Sequence, residues 1–144
     1  MATFIIRKAI SADIDNILKI DNFALQNTLR SELILQSINS DKCFVANKFG
    51  FIVGYVTFDK SFFMQNFIQF LLVAPEHRKC GIAQELLVNV ENNCVGKLFT
   101  SCNKSNRVAQ QLFLKTGFVE SGIIDNLDLN DPEIIFFKKM KDQL

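Results

Sequence analysis

The chain has 144 residues, 49% of them hydrophobic, and a formal net charge of +1 at pH 7. These values predict one folded domain, residues 1–144, that buries roughly two-thirds of the surface its unfolded chain exposes. No long stripe of lysine and arginine appears, so we expect no nucleic-acid partner. No apolar run reaches the roughly 20 residues that a membrane-spanning helix needs, and we expect no membrane partner.

The four cysteines indicate free thiols rather than a metal site. Cys43, Cys80, Cys94 and Cys102 include no C-x-x-C pair, and a single histidine leaves no cysteine–histidine cluster, so we expect no metal. Free thiols are typical of a reducing compartment. The start of the chain, with Arg7 after only a few apolar residues, is unlike a secretory signal. These features predict a cytoplasmic protein.

The first third of the chain predicts a strand followed by two helices. Residues 3–9 suit a short strand. Ser11 is a candidate N-cap for a helix that extends to about residue 26, and Asp13 lies in its first turn, where the helix dipole favours acids. Apolar residues at helical spacing then predict a second helix from residue 30 or 31 to residue 38.

The middle of the chain predicts three strands and a helix. Residues 43–46 and 51–58 are predicted strands joined by a hairpin. A third strand is predicted over residues 62–73, and Pro75 ends it because proline cannot donate to a sheet ladder. The apolar residues that follow recur at helical spacing and predict a helix from about 81 to 94.

The last third predicts a short strand, a helix and a terminal strand pair. The short strand covers residues 97–101, and the helix starts near Ser105 and ends at Gly117 in the usual C-cap manner. The strand pair covers residues 118–124 and 133–140, joined by a segment rich in turn residues. The whole order predicts an α/β (mixed α+β) fold in which helices pack on the faces of a mixed sheet.

A strand, a glycine-containing loop and a helix start follow one another directly at residues 67–83. Free backbone N–H groups converge at a helix N-terminus, and the helix dipole adds a partial positive charge behind them. Phosphate or pyrophosphate is the natural ligand of such a site. The arrangement alone is a weak signal, because many strand-to-helix turns contain glycine and bind nothing.

Two motifs resemble signatures of the GNAT superfamily of acyl-CoA-dependent N-acyltransferases. The family's pyrophosphate loop, Arg/Gln-x-x-Gly-x-Gly/Ala, is matched by Arg78-Lys79-Cys80-Gly81-Ile82-Ala83. Its second signature is similar to Asn106-x-x-Ala109-x-x-Leu112-Phe113-x-x-x-Gly117-Phe118. The element order is also that of the family, so the resemblance covers nearly the whole chain. It implies a GNAT-like, mostly antiparallel central sheet with helices on both faces.

The resemblance implies acetyl-CoA, or another acyl-CoA, as co-substrate. The strand before the loop would splay from its neighbour, residues 97–101, and the backbone groups of Leu71 and Val73 would pair with the pantetheine amides. The loop N–H groups would hold the pyrophosphate, with Gly81 allowing close approach. Arg78 and Lys79 would add charge, or else belong to a solvated surface. The implied cofactor-binding residues are Leu71, Val73, Arg78, Lys79, Cys80, Gly81, Ile82, Ala83, Asn106, Ala109 and Phe113.

Two positions at which many relatives carry a proton-transfer group hold residues that cannot ionise. Phe113 stands where those relatives have a tyrosine that protonates the leaving thiolate, and Gln69 stands where they have a glutamate base. Glu133, at the start of the last predicted strand, is the remaining candidate for a catalytic base, with a solvated acidic turn as the alternative. His77 and Cys80 lie beside the pyrophosphate end of the loop, far from the expected thioester.

The resemblance therefore predicts an enzyme that moves an acetyl group from CoA to a primary amine by direct attack, mainly by holding the two reactants in line. The alternative is a catalytically weak GNAT-like module that binds CoA or acyl-CoA as a sensor or interaction domain. The acceptor's identity stays open, because the segment that would line its pocket offers the mixed groups Asn22, Phe23, Gln26, Asn27 and Arg30. A monomer and a homodimer are both compatible with the sequence.

Overall fold

One mixed sheet forms the centre of the protein. The computed structural model describes residues 3–140; residues 1, 2 and 141–144, the ends of the predicted domain, lie outside it. The described strands are β1 (Phe4–Lys8), β2 (Cys43–Lys48), β3 (Phe51–Phe62), β4 (Gln65–Val73), β5 (Lys97–Asn103), β6 (Val119–Ile124) and β7 (Glu133–Lys139). Their order in the sheet is β1-β2-β3-β4-β5-β7-β6. Only β4 and β5 are parallel neighbours among them, which confirms the predicted mostly antiparallel sheet.

Helices cover both faces of this sheet, as predicted. They are α1 (Ile14–Ile20), α2 (Asn22–Gln26), α3 (Thr28–Asn39), α4 (Ile82–Glu91) and α5 (Arg107–Lys115). Side chains of β3 point to both faces and so belong to two separate cores. Val56 and Phe58 pack in the core of α4 and α5, and Ile52 and Tyr55 pack in the core of α1, α2 and α3. None of the described helices combines the length and apolar character needed to cross a membrane.

The predicted start of the first helix is wrong in detail. The chain forms a 3-10 turn at Ser11–Asp13, and Ser11 does not cap it. Asp13 stabilises the turn instead. Its carboxylate accepts hydrogen bonds from the N–H of Ile10 (2.8 Å) and from the guanidinium of Arg7 (2.8 Å). The hydrogen bond from Arg7 holds the pKa of Asp13 below its ordinary value.

The predicted first helix is also broken, at Asp21. The Asp21 carboxylate accepts a hydrogen bond from the N–H of Ala24 (2.9 Å) and so starts a new helix, α2. Asn27 then caps α3 by accepting a hydrogen bond from the N–H of Arg30 (3.0 Å). The helix therefore starts at Thr28, two or three residues earlier than predicted. Apolar periodicity runs through both caps, which is why the pattern alone predicts a longer first helix.

Two further boundaries differ because of a turn and a cap. A two-residue turn at Phe63 and Met64 lengthens β3 and shortens β4, where the sequence predicts one strand from residue 62. Asn106, and not Ser105, caps α5 by accepting the N–H of Ala109 (3.1 Å). The remaining strands and helices begin and end close to their predicted positions.

Candidate active site

Strands β4 and β5 diverge and leave a gap in the middle of the sheet, between residues 69–73 of β4 and residues 100–103 of β5. The two strands pair at only two positions, Asn66 with Leu98 and Phe67 with Phe99. Just beyond, the hydroxyl of Thr100 donates to the carbonyl of Ile68 (3.3 Å), so a side chain replaces the next backbone bond. The predicted splay of these strands is confirmed.

The edge of β4 that borders the gap presents backbone groups of Leu71 and Val73. On the other side of the strand, the N–H of Ala74 donates to the carbonyl of Val53 in β3 (2.8 Å). Backbone groups alternate in direction along an antiparallel strand. The groups of Leu72 and Ala74 therefore point toward β3, whereas those of Leu71 and Val73 point into the gap. An extended ligand with amide groups can pair with this edge as another strand would.

A β-bulge lies where the gap opens. The register between β3 and β4 pairs Thr57 with Phe70 and Phe58 with Ile68, so Gln69 is the extra residue of β4. Bulges are frequent next to active sites, because they bend a strand and redirect its side chains. Here the bulge turns Ile68 toward the core of α4, while Phe70 packs with the core of α1 and α3.

The loop after β4 leads to the exposed N-terminus of α4. Residues 78–81 of this loop are exposed. Gly81 precedes the helix with φ +82°, a left-handed conformation that glycine adopts without strain, and nothing lies within 4 Å of where its Cβ would be. The first bond inside the helix runs from the N–H of Glu85 to the carbonyl of Gly81 (3.0 Å). The N–H groups of residues 82–84 thus have no partner within the helix and can receive an anion.

Arg78 connects this loop to the gap. Its Nε donates to the carbonyl of Val73 (3.1 Å), one of the groups that point into the gap. In the free protein the guanidinium therefore occupies an acceptor that an extended ligand would use. Arg78 is exposed, and a hydrogen bond with a charged group contributes at most about 1.5–3 kcal/mol. A ligand that pairs with Val73 can displace it at small cost.

The predicted cofactor residues of three elements meet at one core. Leu71 of β4, Ala83 of α4 and Ala109 of α5 all pack against the cluster that contains Phe113. Phe113 itself is 3% exposed, with its ring centroid 5.3 Å from that of Phe136. The residue that replaces the relatives' tyrosine is thus a packed core ring without a proton to donate.

A buried ion pair lies on the face of the sheet opposite α4. Asp21 is 1% exposed and accepts hydrogen bonds from the Tyr55 hydroxyl and from Nη2 of Arg30 (2.8 Å). The Arg30 guanidinium lies over the ring of Phe70, 4.3 Å from its centroid, and 5.2 Å from that of Phe23. Phe70 is next to the bulge at Gln69, so this network lies beside the gap, on the face of the sheet that α2 and α3 cover.

Sequence reasoning placed Arg30 and Phe23 in the acceptor segment but missed their link to Asp21 and Tyr55. The available signal was Asp21 itself, an acid on the apolar face of a predicted helix. Burial and the negative charge of Asp21 raise the pKa of Tyr55 well above its ordinary value. Tyr55 thus donates a hydrogen bond to the Asp21 carboxylate, whose charge is balanced by Arg30.

Glu133 begins β7, directly opposite Asn103 at the open end of β5. Ile134 and Phe136 point into the core of α4 and α5, so strand alternation directs Glu133 to the other face. The acidic turn before Glu133 is stabilised by hydrogen bonds to β5 and to the residues that follow it. Asp131 accepts the Ser105 hydroxyl (2.6 Å), and Asp128 accepts the side chain of Asn103 (2.7 Å).

The four cysteines differ in exposure. Cys80 is exposed on the loop, and the other three are buried, all as free thiols. Burial raises the pKa of Cys43 to about 12, and burial together with the charges of Glu133 and Asp131 raises that of Cys102 to about 11. Within residues 3–140, no group of three or more His, Cys, Asp or Glu side chains could hold a metal ion.

Known proteins share both the sequence pattern and the fold. The profile of the acetyltransferase (GNAT) family matches residues 11–118. The chain belongs to the GNAT acetyltransferase family. A GNAT-family acetyltransferase structure from Bacillus cereus is 36% identical with a TM-score of 0.89, covering 96% of this chain and 99% of that one. A Salmonella typhimurium structure that contains its cofactor acetyl-CoA has the same fold, with a TM-score of 0.81 at 16% identity over 99% of this chain and 96% of that one.

One curated relative is a far larger protein. The chain is 35% identical over 85 residues to cysteine-rich protein 2-binding protein of Mus musculus, which covers 58% of this chain. The matched part of this chain spans only 10% of that relative's length. This partial likeness carries no conclusion about function. The family profile and the shared fold support acyl transfer as the general chemistry of the chain.

Proposed function

We propose that the protein transfers an acetyl group from acetyl-CoA to a primary amine by direct attack of the amine on the thioester. The observation that carries this proposal is the gap, whose β4 edge presents the backbone groups of Leu71 and Val73. The gap leads directly to the exposed N-terminus of α4. This order matches CoA, in which two amides lie between the thiol and the pyrophosphate, so the residues present fit the ligand.

The gap separates a cofactor side from an acceptor side. The cofactor loop belongs to α4, which packs on one face of the sheet. Phe70, Phe23 and Arg30 lie on the other face, and Glu133 points to it. We therefore place the acceptor amine on this second face, where it meets the thioester through the gap. CoA supplies a good thiolate leaving group, and the chain contributes mainly the alignment of the two reactants.

Glu133 is proposed as the group that takes the proton from the incoming amine. A primary alkylamine has a pKa near 10, like lysine, so only about one molecule in a thousand is nucleophilic at pH 7. Gln69 cannot accept this proton. Glu133 is a carboxylate at the open end of β5, on the face assigned to the acceptor, and a general base of this kind contributes typically ~10²–10⁴-fold.

A second function, binding of acyl-CoA without turnover, is favoured by one observation. Both family positions for proton transfer are non-ionisable here, with Gln69 in the bulge and Phe113 packed in the core. The cofactor side of the gap is the same for an enzyme and for a binding module. Turnover is therefore the property that distinguishes them.

The test is a broad screen of primary amines with acetyl-CoA, in which released thiol and the mass of the product are followed together. The proposal predicts thiol release that depends on the amine and a matching N-acetyl product. Tight acetyl-CoA binding with no release above the protein-free rate, across small amines, peptides and proteins, would contradict it. That result would establish the binding module.

A further inference from the structure

The hairpin between β3 and β4 ends in two exposed apolar residues in a strained conformation. Phe63 and Met64 form a two-residue loop between the paired residues Phe62 and Gln65. Their φ angles are +51° and +64°, and they are 80% and 86% exposed. Loops with positive φ at both positions prefer Asn-Gly, Asp-Gly or Gly-Gly, because a Cβ is crowded in this conformation. We call Phe63 and Met64 the tip.

The neighbouring hairpin between β2 and β3 shows the ordinary solution. Its loop is also two residues long, with Phe49 at φ +52°, but Gly50 occupies the second position at φ +85°. The tip has no glycine, so two bulky residues adopt the left-handed backbone conformation. Their side chains are exposed to solvent. Two consecutive bulky residues in this conformation, with no glycine beside them, are the outlier from which we infer a use for these side chains.

A row of half-buried phenylalanine rings supports the tip from behind. In the order Phe67, Phe62, Phe99 and Phe137, neighbouring ring centroids are 5.0–5.2 Å apart. The four rings come from four strands of the sheet. The ring of Phe63 meets Phe62 edge to face at 5.0 Å. Through Phe63, the tip therefore continues this apolar row.

Lysines surround this end of the sheet. Lys97 and Lys139 are paired directly opposite each other in the β5–β7 register, where like charges are destabilising. Lys60 lies two residues before Phe62, and all three are exposed. The ion pairs within residues 3–140 involve other side chains. The acid nearest to the tip in sequence, Asp59, already accepts the N–H (3.0 Å) and hydroxyl (2.7 Å) of Ser61.

We propose that the tip docks on an anionic membrane surface, with Phe63 and Met64 inserted among the lipid headgroups and the three lysines against the lipid phosphates. Apolar side chains rimmed by lysine are the standard chemistry of interfacial binding. A two-residue protrusion offers too little area for a typical protein partner, which buries about 800 Å² per side. The lysines would also repel the lysines of a second copy.

This proposal replaces the expectation of no membrane partner, which rested on the lack of a spanning run. The tip lies at the start of β4, and the gap lies at its far end. A docked domain would thus keep the candidate active site away from the surface, accessible to cofactor and acceptor. The proposal does not depend on catalysis, because it concerns a different end of the molecule.

The test is co-sedimentation of the protein with phosphatidylcholine vesicles, with and without phosphatidylserine, at low and at high salt. We expect binding only to the anionic vesicles, and weaker binding as salt screens the lysines. The double variant Phe63→Ser/Met64→Gly should bind about tenfold more weakly or worse. Lys97→Gln should weaken binding about fivefold.

Phe49→Ser is the matched control, since it removes an equally exposed phenylalanine from the other hairpin and should leave vesicle binding unchanged. Thermal unfolding checks that the tip variant folds, and Met64→Gly should raise stability because glycine relieves strain at φ +64°. Failure to bind anionic vesicles at low salt would overturn the proposal and point to a protein partner. Equal loss of binding in Phe49→Ser and the tip variant would overturn it too.

Discussion

The two sides of the gap are built from different chemistry. The cofactor side presents main-chain groups: the edge of β4 at Leu71 and Val73, and the helix start after Gly81. The acceptor side presents side chains, chiefly Phe70 over Arg30 and the carboxylate of Glu133. A site made of main-chain groups needs a particular backbone conformation, here one glycine before a helix. A short sequence motif is therefore enough to indicate it. A side-chain site has no such signature, and its ligand must be found by experiment.

The largest effect is expected at the cofactor side, from Gly81→Asp. An aspartate there puts negative charge where the N–H groups of α4 would receive pyrophosphate, and like charges brought together cost several kcal/mol. Acetyl-CoA affinity should fall by about 100-fold or more. Isothermal calorimetry measures this, and thermal unfolding shows whether the fold persists.

Gly81→Asn provides the matched control for that substitution. Asparagine and aspartate have the same shape and both tolerate positive φ better than other residues, so they share the strain at φ +82°. Only the charge differs. The asparagine variant should therefore keep most of the affinity. Equal affinities of the two variants would show that the pyrophosphate lies elsewhere.

The next largest effect is expected at the acceptor side, from Glu133→Gln. If Glu133 takes the amine proton, kcat/KM of the parent reaches a plateau with rising pH. The variant should be slower by about tenfold or more and keep accelerating with pH, because it depends on free amine. Superimposable pH profiles would exclude Glu133 as the base.

A smaller effect, opposite in direction for two ligands, is expected on the binding affinity of the Arg78→Met variant. The variant loses a charge near the pyrophosphate but frees the carbonyl of Val73. It should therefore bind acetyl-CoA about fivefold more weakly, and S-acetylpantetheine, which has no pyrophosphate, a few-fold more tightly. Lys79→Met is the control, because it removes charge without freeing that carbonyl. A loss of the same size for both ligands would disprove the displacement of Arg78.

The smallest effect is expected from Phe113→Tyr. The added hydroxyl would restore the proton donor that many relatives carry, in nearly the same volume. The ring packs against Phe118 and Phe136 in the core, so a modest loss of stability should accompany a several-fold rise in kcat. Stopped-flow thiol release with a good acceptor measures the rate. An unchanged or lower rate would show that protonation of the thiolate does not limit turnover.

The sequence predicts the cofactor side better than the rest of the molecule. The order of elements follows from Pro75, Gly81 and the periodicity around them, and the splay of β4 was implied by the resemblance to the family. The internal caps at Asp21 and Asn27 were missed, because apolar residues continue at helical spacing across both. Periodicity records which face is buried, and a cap interrupts the backbone without changing that face.

The tip and the orientation of Glu133 could not be predicted, for different reasons. Turn rules assign two-residue loops to glycine and asparagine, so the sequence predicts that Phe63 and Met64 continue a strand. For Glu133, alternation along a strand left two equal orientations, and only the packing of Ile134 and Phe136 decides between them. The tip depends on the register of the β3–β4 hairpin, and the orientation of Glu133 depends on which face of β7 is buried.

The most direct test of the central claim is amide hydrogen exchange at Leu71 and Val73, with and without acetyl-CoA. These N–H groups point into the gap, whereas the N–H of Leu72 points toward β3 and serves as an internal control. We predict that Leu71 and Val73 exchange rapidly in the free protein and slow markedly on addition of acetyl-CoA, while Leu72 is protected in both states. Saturating acetyl-CoA that leaves the exchange of Leu71 and Val73 unchanged would contradict the account.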